Sequence, residues 1–169
     1  MANHINTFLL NHGQKIKNLD EFDSSKFLSI GDELALRNYF QDKRFTDMYI
    51  NGFIDFVYDN QIIFSWKYWD LIDQLWVYLM NSIREAVLNG EASFSFPDQP
   101  LLVKICHLKN KSFLFFIGQN KYYLPYDAIL TYLLPEAEFF FNTFLKHLSD
   151  ESYREIKEDV IPECRRLLL

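Results

Sequence analysis

The sequence predicts an α+β fold: a mostly antiparallel sheet with a long central helix and C-terminal helices packed on one face. A strand hairpin pattern at residues 47–64 is followed by helical periodicity at 66–89. Four short strand patterns then lie between residues 92 and 124. Their short connections require antiparallel neighbours, because a parallel return needs a crossover of about a dozen residues. Helical patterns complete the chain, and this order of elements is typical of α+β proteins.

The length of 169 residues and the apolar fraction of 49% predict one globular domain, residues 1–169, with a sizeable core. Within it, residues 1–46 form a poorly defined N-terminal segment, 47–148 the α+β core, and 149–169 a C-terminal helical segment. Aromatic residues make up 18% of the chain. Large rings fill a core and, where exposed, form binding hot spots.

The hairpin is predicted from residues 47–58, which are rich in β-branched and aromatic side chains. Asp59 and Asn60 give a turn signal, and Gln61–Phe64 the return strand. Ser65 is a suitable N-cap for a helix over Trp66–Asn89, whose apolar residues recur at helical spacing. Gly90 then provides the helix stop.

The second strand region reads as an antiparallel meander separated by turn residues. Its predicted strands are Ala92–Phe96, Leu101–Leu108, Ser112–Ile117 and Lys121–Leu124. Pro125 and Pro135 suit first helical positions, which predicts helices over 126–133 and 136–148. A charged segment, 150–159, favours one more helix, with Pro162 after it.

The N-terminal region is the least informative. Ile5–Asn11 fits either a helix or a strand, Gly13–Asp23 is polar and irregular, and Leu34–Phe40 has a helical pattern opened by Gly31. The polar residues 41–46 predict a loop.

The formal charge of −6 argues against direct binding to nucleic acid or to an anionic membrane, which needs a basic footprint. No apolar run approaches the roughly 20 residues of a membrane span, and the N-terminus lacks the features of a signal peptide. Two cysteines are too few for a disulfide framework, so we expect a reduced, cytoplasmic protein. Cys106, in an apolar run, is expected to be a buried core thiol.

No recognised catalytic or metal-binding motif is present. The four histidines form no HExxH pair, the cysteines have no CxxC spacing, and there is no GxSxG elbow. The five glycines are scattered, so no phosphate-binding cradle is expected. These observations predict a protein that is not an enzyme and holds no cofactor or metal.

Paired carboxylates are the most suggestive polar signal. Asp70 and Asp73 are three residues apart and share a face of the predicted helix, and Asp55 and Asp59 flank the hairpin turn. Such pairs act as acid and base in glycosidases. On a surface helix they are solvated or contact a partner, and this interpretation is favoured.

Three blocks carry a family resemblance: IDFVYDNQIIFSWKYWDLIDQLWVYLMNSI, the small strand EASFSFPDQP and the aromatic PEAEFFFNTFL. Together, over about residues 47–148, they resemble bacterial polymorphic-toxin immunity proteins, of the contact-dependent growth inhibition type. The resemblance implies a small cytoplasmic protein that binds a cognate toxin C-terminal domain, such as a basic nuclease, and occludes its active site.

An acidic surface would speed association with a basic toxin domain. On this hypothesis the partner-binding residues are the hairpin and helix carboxylates with two aromatic anchors: Asp55, Tyr58, Asp59, Tyr68, Asp70 and Asp73. Two alternatives stay open. One is a non-catalytic interaction module, including a homo-oligomer held by the Phe-rich C-terminal helix. The other is an enzyme that uses the paired carboxylates, which requires a pocket with convergent titratable groups.

Overall fold

In the computed structural model, which describes residues 1–169, the chain divides into two units, Met1–Asp73 and Gln74–Leu169. Antiparallel sheets and several helices confirm the α+β class. The predicted subdivision at residues 47 and 149 does not follow this boundary, because strands on either side of residue 47 pair with each other. That the whole chain behaves as one domain stays a prediction.

The first unit contains five strands and a helix: β1 (His4–Leu10), β2 (Phe27–Ser29), α1 (Glu33–Gln41), β3 (Asn51–Tyr58), β4 (Gln61–Phe64) and β5 (Asp70–Leu71). The sheet order is β2-β1-β3-β4, with β5 also pairing with β3, and every pair is antiparallel. The N-terminal residues that were poorly defined from sequence therefore form two strands and a helix of this unit.

The β3–β4 hairpin forms at the predicted turn. Asp59 and Asn60 have φ angles of 49° and 59°. Two successive left-handed residues are the mark of the tight turn that matches strand twist, and Asn and Asp tolerate this conformation better than most residues. The predicted turn is confirmed.

Gly52 lies in β3 between two neighbouring strands, opposite Leu9 on one side and Asp70 on the other. A Cβ at this position would overlap the carbonyl oxygen of Phe8 and lie 3.1 Å from the Cβ of Ile72. The absence of a side chain therefore permits the close approach of the β1 backbone at Phe8 and of the Ile72 side chain.

The long helix begins later than predicted. Helix α2 runs over Ile72–Asn89, whereas Trp66–Tyr68 forms a 3-10 turn and β5 follows it. Ser65 makes no side-chain cap. The backbone of residues 70 and 71 pairs with β3 in the sheet. Sheet pairing therefore overrides the helical periodicity of this segment. The helix ends as predicted, with Gly90 at φ 93° and its N–H bonded to the Ala86 carbonyl.

The second unit contains four strands: β6 (Glu91–Ser95), β7 (Leu102–Leu108), β8 (Ser112–Ile117) and β9 (Asn120–Pro125). They form an antiparallel sheet in the order β6-β7-β8-β9, which confirms the predicted meander. Along β8, four of six side chains are buried and the other two are partly exposed.

The C-terminal part contains four helical segments, and one π-turn joins the first to the second and another joins the third to the fourth. Their bounds are α3 (Tyr126–Ala128), α4 (Leu134–Phe144), α5 (Glu151–Glu155) and α6 (Ile161–Leu168), with π-turns at Ile129–Leu133 and Ile156–Val160. The predicted break between residues 133 and 136 is therefore wrong. The last helical region also extends beyond the predicted range of 150–159 and ends at Leu168.

Each π-turn precedes a proline. The N–H of Leu134 bonds to the carbonyl of Ile129, and the N–H of Ile161 to that of Ile156, so each bond reaches back five residues. Pro135 and Pro162 lack an N–H, and their rings would clash with a carbonyl in regular α-helix geometry. A wider turn before each proline relieves that conflict, so the helices continue where sequence reasoning ended them.

The expectation that Cys106 is a buried core thiol is wrong. Cys106 is partly exposed, whereas Cys164 is fully buried in α6. Burial raises the pKa of the Cys164 thiol to about 12. The apolar run around Cys106 belongs to β7, where alternate side chains face opposite sides of the sheet, and Cys106 lies on the less buried side.

The close packing of Gly52 leads to a stability prediction. Gly52→Ala should lower the free energy of unfolding by about 2 kcal/mol or more, because the β1 backbone at Phe8 and the Ile72 side chain must move. Urea denaturation followed by circular dichroism measures the change. Gly31→Ala is the control, since its Cβ would meet only the Ser29 hydroxyl at 3.5 Å. Equal stability of the two variants would contradict the proposed packing.

The thiol environments lead to a second prediction. Iodoacetamide at pH 8 should modify Cys106 in the folded protein and leave Cys164 unmodified, because only the thiolate of an accessible cysteine reacts. Mass spectrometry of tryptic peptides measures the two positions. In urea both should react at similar rates, and rapid native modification of Cys164 would show that the C-terminal helix is not packed as described.

Candidate functional site

A ring-lined cleft of about 690 Å³ lies within the first unit. Its walls come from β1, β3, the 3-10 turn at Trp66–Tyr68 and the segment before β2. Six aromatic side chains line it: Phe8, Phe22, Phe27, Phe53, Trp66 and Tyr68. Concave, mostly apolar sites of this size with a few polar groups are typical binding sites.

Strand pairing positions the inner wall of the cleft. Phe8 of β1 lies opposite Phe53 of β3, and their rings stack with centroids 5.0 Å apart. Phe53, Asp55 and Val57 occupy alternate positions of β3, so their side chains share one face of the sheet. All three line the cleft.

Phe22 forms the outer wall, although it belongs to a segment without regular secondary structure. Its ring lies 5.8 Å from Phe27, 6.0 Å from Phe53 and 5.7 Å from Trp66, measured between centroids. Even so, 49% of its surface is exposed. Ile62 of β4 also lines the cleft and is 48% exposed. The cleft therefore opens beside two large apolar side chains that solvent reaches.

A histidine–aspartate pair is the main polar feature of the wall. His4 Nε2 lies 3.0 Å from a carboxylate oxygen of Asp55, and His4 Nδ1 lies 3.1 Å from the Ala2 carbonyl oxygen. Each ring nitrogen of His4 therefore already has an oxygen of the chain as its partner, and neither is open to a substrate.

The mouth of the cleft carries hydrogen-bond donors. The ammonium of Lys67 lies 6.0 Å from the centroid of the Trp66 ring and pairs with no carboxylate. The hydroxyls of Ser24 and Ser65 also line the cleft, and neither makes a side-chain hydrogen bond. Donor capacity therefore remains open here, whereas the Asp55 carboxylate is already paired.

The structure brings two of the six predicted site residues into the cleft, Asp55 and Tyr68. Tyr58 and Asp59 lie at the adjacent end of β3, and Asp59 is exposed in the hairpin turn. The Asp59 N–H donates to the side-chain oxygen of Asn3 at 2.8 Å, which fixes the turn beside the start of β1.

The prediction for Asp70 and Asp73 is corrected. Both side chains are buried, with 0% and 6% of their surface exposed, so they are not solvated and no partner can touch them in this conformation. Asp70 lies in β5 and not on the helix, because this strand pairs with β3. Its carboxylate accepts the Leu71 N–H at 2.6 Å. Asp73 lies in the first turn of α2, where a carboxylate complements the helix dipole.

Sequence reasoning missed most of the cleft. His4, Phe8, Phe22 and Phe27 lie in the region that gave no clear pattern. Two signals were available: the alternation of His4, Asn6 and Phe8 with apolar or buried neighbours in β1, and an aromatic residue within the polar run DEFD. The pairing of β1 with β3, which brings these residues together, cannot be read from either signal.

Two further searches of the structure concern metals and membranes. No group of three or more histidine, cysteine or acidic side chains lies close enough together to hold a metal ion. No helix combines the length and apolar character needed to cross a membrane.

Asp73 influences the titration of Tyr39, which leads to a pH prediction. Burial and then the Asp73 charge raise the pKa of Tyr39 to about 12, from an ordinary value of 10. The unfolded chain therefore loses this proton at lower pH than the folded one. The stability that protonated Tyr39 contributes is complete below pH 10 and falls by about 2–3 kcal/mol as pH rises to 12.

Urea denaturation between pH 9 and 11.5 measures this dependence, and Tyr39→Phe should have a shallower decline than the unaltered protein. Tyr123→Phe is the control, because Tyr123 is 48% exposed. Identical slopes for Tyr39→Phe and the unaltered protein would mean that Tyr39 titrates alike in both states.

Comparison of the chain with protein-family profiles, curated proteins and solved structures finds no match. The resemblance to immunity proteins therefore stays an expectation from sequence.

Proposed function

We propose that this chain is a non-catalytic immunity-type protein that binds a toxin domain and blocks its active site. The observation that carries the proposal is the ring-lined cleft, which opens beside exposed Phe22 and Ile62. Contiguous exposed apolar surface of this kind marks interaction sites in soluble proteins.

Binding is favoured over catalysis by the chemistry of the cleft. His4 and Asp55 are the convergent titratable pair that an enzyme would require, but each satisfies the other. Because the second ring nitrogen of His4 lies 3.1 Å from the Ala2 carbonyl oxygen, neither ring nitrogen is open to a substrate. The pair therefore shapes and orients the wall.

A protein partner is favoured by the composition of the rim. Aromatic side chains that are partly exposed supply most of the energy in many interfaces, and Phe22, Trp66 and Tyr68 are such residues. Residues 1–73 contain eleven acidic and seven basic side chains, a net charge of −4. An acidic unit would attract a basic toxin domain and accelerate its binding.

The proposed interface joins the cleft to the hairpin turn. An apolar side chain of the toxin enters the cleft beside Phe22 and Trp66, and Asp59 with Tyr58 contacts basic side chains at the rim. Asp70 and Asp73 are left out because they are buried. Inhibition then follows from steric occlusion of the toxin's substrate site, and no chemical step is required.

The experiment captures partners from the host lysate with the tagged protein and with its Phe22→Ser and Trp66→Ala variants. We expect a toxin domain to bind the unaltered protein in equal amount and each variant at least about tenfold more weakly, because aromatic anchors at an interface are each worth more than 1.4 kcal/mol. Expressing the captured domain alone should arrest growth, and co-expression of this chain should restore it.

Phe139→Ser is the matched control, since Phe139 is 45% exposed but lies in α4 of the second unit. Two results would contradict the proposal: equal capture by the unaltered protein and both cleft variants, or growth arrest that co-expression fails to relieve. A mass that rises with concentration, and falls in Phe22→Ser, would instead indicate that the patch joins two copies of this chain.

A further inference from the structure

The volume of the cleft exceeds what one inserted side chain needs. About 690 Å³ lies in the middle of the range for small-molecule sites, about 300–1,000 Å³. Phe22 and Phe53 are in edge-to-face contact with ring centroids 6.0 Å apart, and the open sides of these rings offer faces and edges to a flat or elongated apolar body. The cleft can therefore hold an apolar molecule of drug-like size.

The features that would attract a cation are already satisfied within the chain. The Asp55 carboxylate pairs with His4, and the Trp66 ring carries the Lys67 ammonium over it. An incoming cation would have to displace the Lys67 ammonium from the Trp66 ring, and that ammonium is always present because it is part of the chain. A cationic ligand is thus disfavoured in the interior of the cleft.

In contrast, the hydrogen-bond donors that line the mouth are not paired with acceptors of the chain. Lys67 pairs with no carboxylate, and the Ser65 hydroxyl two residues before it makes no side-chain hydrogen bond. Ser24 is another serine that lines the cleft. A ligand that ends in a carboxylate could accept from Lys67 and Ser65 together.

From this complementarity we propose that the cleft binds a small apolar molecule carrying one carboxylate. The body of the ligand packs against the rings of Phe22, Phe53 and Trp66, and its carboxylate meets Lys67 at the mouth. This goes beyond the proposed toxin neutralisation, and a ligand bound here would exclude a toxin side chain from the same cleft. Small-molecule binding and partner binding are therefore competitive.

The experiment titrates the isolated full chain with three probes that share one ring system: 2-naphthylacetate, its neutral amide and 2-(2-naphthyl)ethylammonium. Nitrogen-15 NMR spectra report which residues respond. We expect saturable shifts confined to residues 1–73, with the acetate binding more tightly than the amide and the ammonium more weakly. Lys67→Met should weaken acetate binding about threefold to fivefold and leave amide binding unchanged, because only one exposed charge contact is lost.

Lys121→Met is the matched control. Lys121 is also an exposed lysine over an aromatic ring, 5.8 Å from the Phe116 centroid, but lies in β9 of the second unit. Three results would overturn the proposal: no saturable shift with about 5 mM acetate, tightest binding by the ammonium, or equal weakening by the two lysine variants. None of them bears on toxin capture, which is measured without these probes and depends on Phe22 and Trp66.

Discussion

The antiparallel pairing of β1 with β3 is the interaction on which the candidate site depends. Six residue pairs, from His4 with Val57 to Leu9 with Gly52, join segments that lie almost fifty residues apart in sequence. This register places Phe8 against Phe53 and brings His4 within reach of Asp55. A shift by one residue would turn all of these side chains to the other face of the sheet. The pairing therefore decides which groups line the cleft.

Gly52 makes this pairing compatible with a second strand on the far side. Because β3 has β1 and β5 as neighbours at that point, its backbone must approach both closely. The approach of β5 has a further effect, since it draws Asp70 into the sheet and buries it. The missing side chain at Gly52 thus accommodates the β1 backbone at the point where β3 also pairs with β5.

The cleft combines open apolar surface with two kinds of polar group, those that have partners within the chain and those that do not. Asp55 contacts His4, and both ring nitrogens of His4 contact oxygens of the chain, so that pair shapes the wall. Lys67 and the serine hydroxyls at the mouth keep unused donors. This difference favours binding over catalysis, and it also gives the cleft a chemical preference that its apolar walls alone would not provide.

Local patterns in the sequence were sufficient for the hairpin turn at Asp59 and Asn60, the end of α2 at Gly90 and all four strands of the second sheet. Each depends on residues near in sequence: left-handed turn residues, a helix stop, or strands joined by tight connections. Local patterns were not sufficient where other interactions of the backbone competed with the locally preferred structure. The start of α2 gave way to β5, and the helices continued through Pro135 and Pro162 because π-turns absorbed the lost hydrogen bonds.

The same division holds for the site. The sequence by itself determined the types of residue available, an abundance of rings and an acidic balance, and it identified Asp55 and Tyr68 from their place around the hairpin and the helix start. Only the tertiary structure decided that His4 meets Asp55, that Phe22 covers the sheet, and that Asp70 and Asp73 are buried. These outcomes follow from strand pairing over long sequence separation, for which no local pattern specifies the partner.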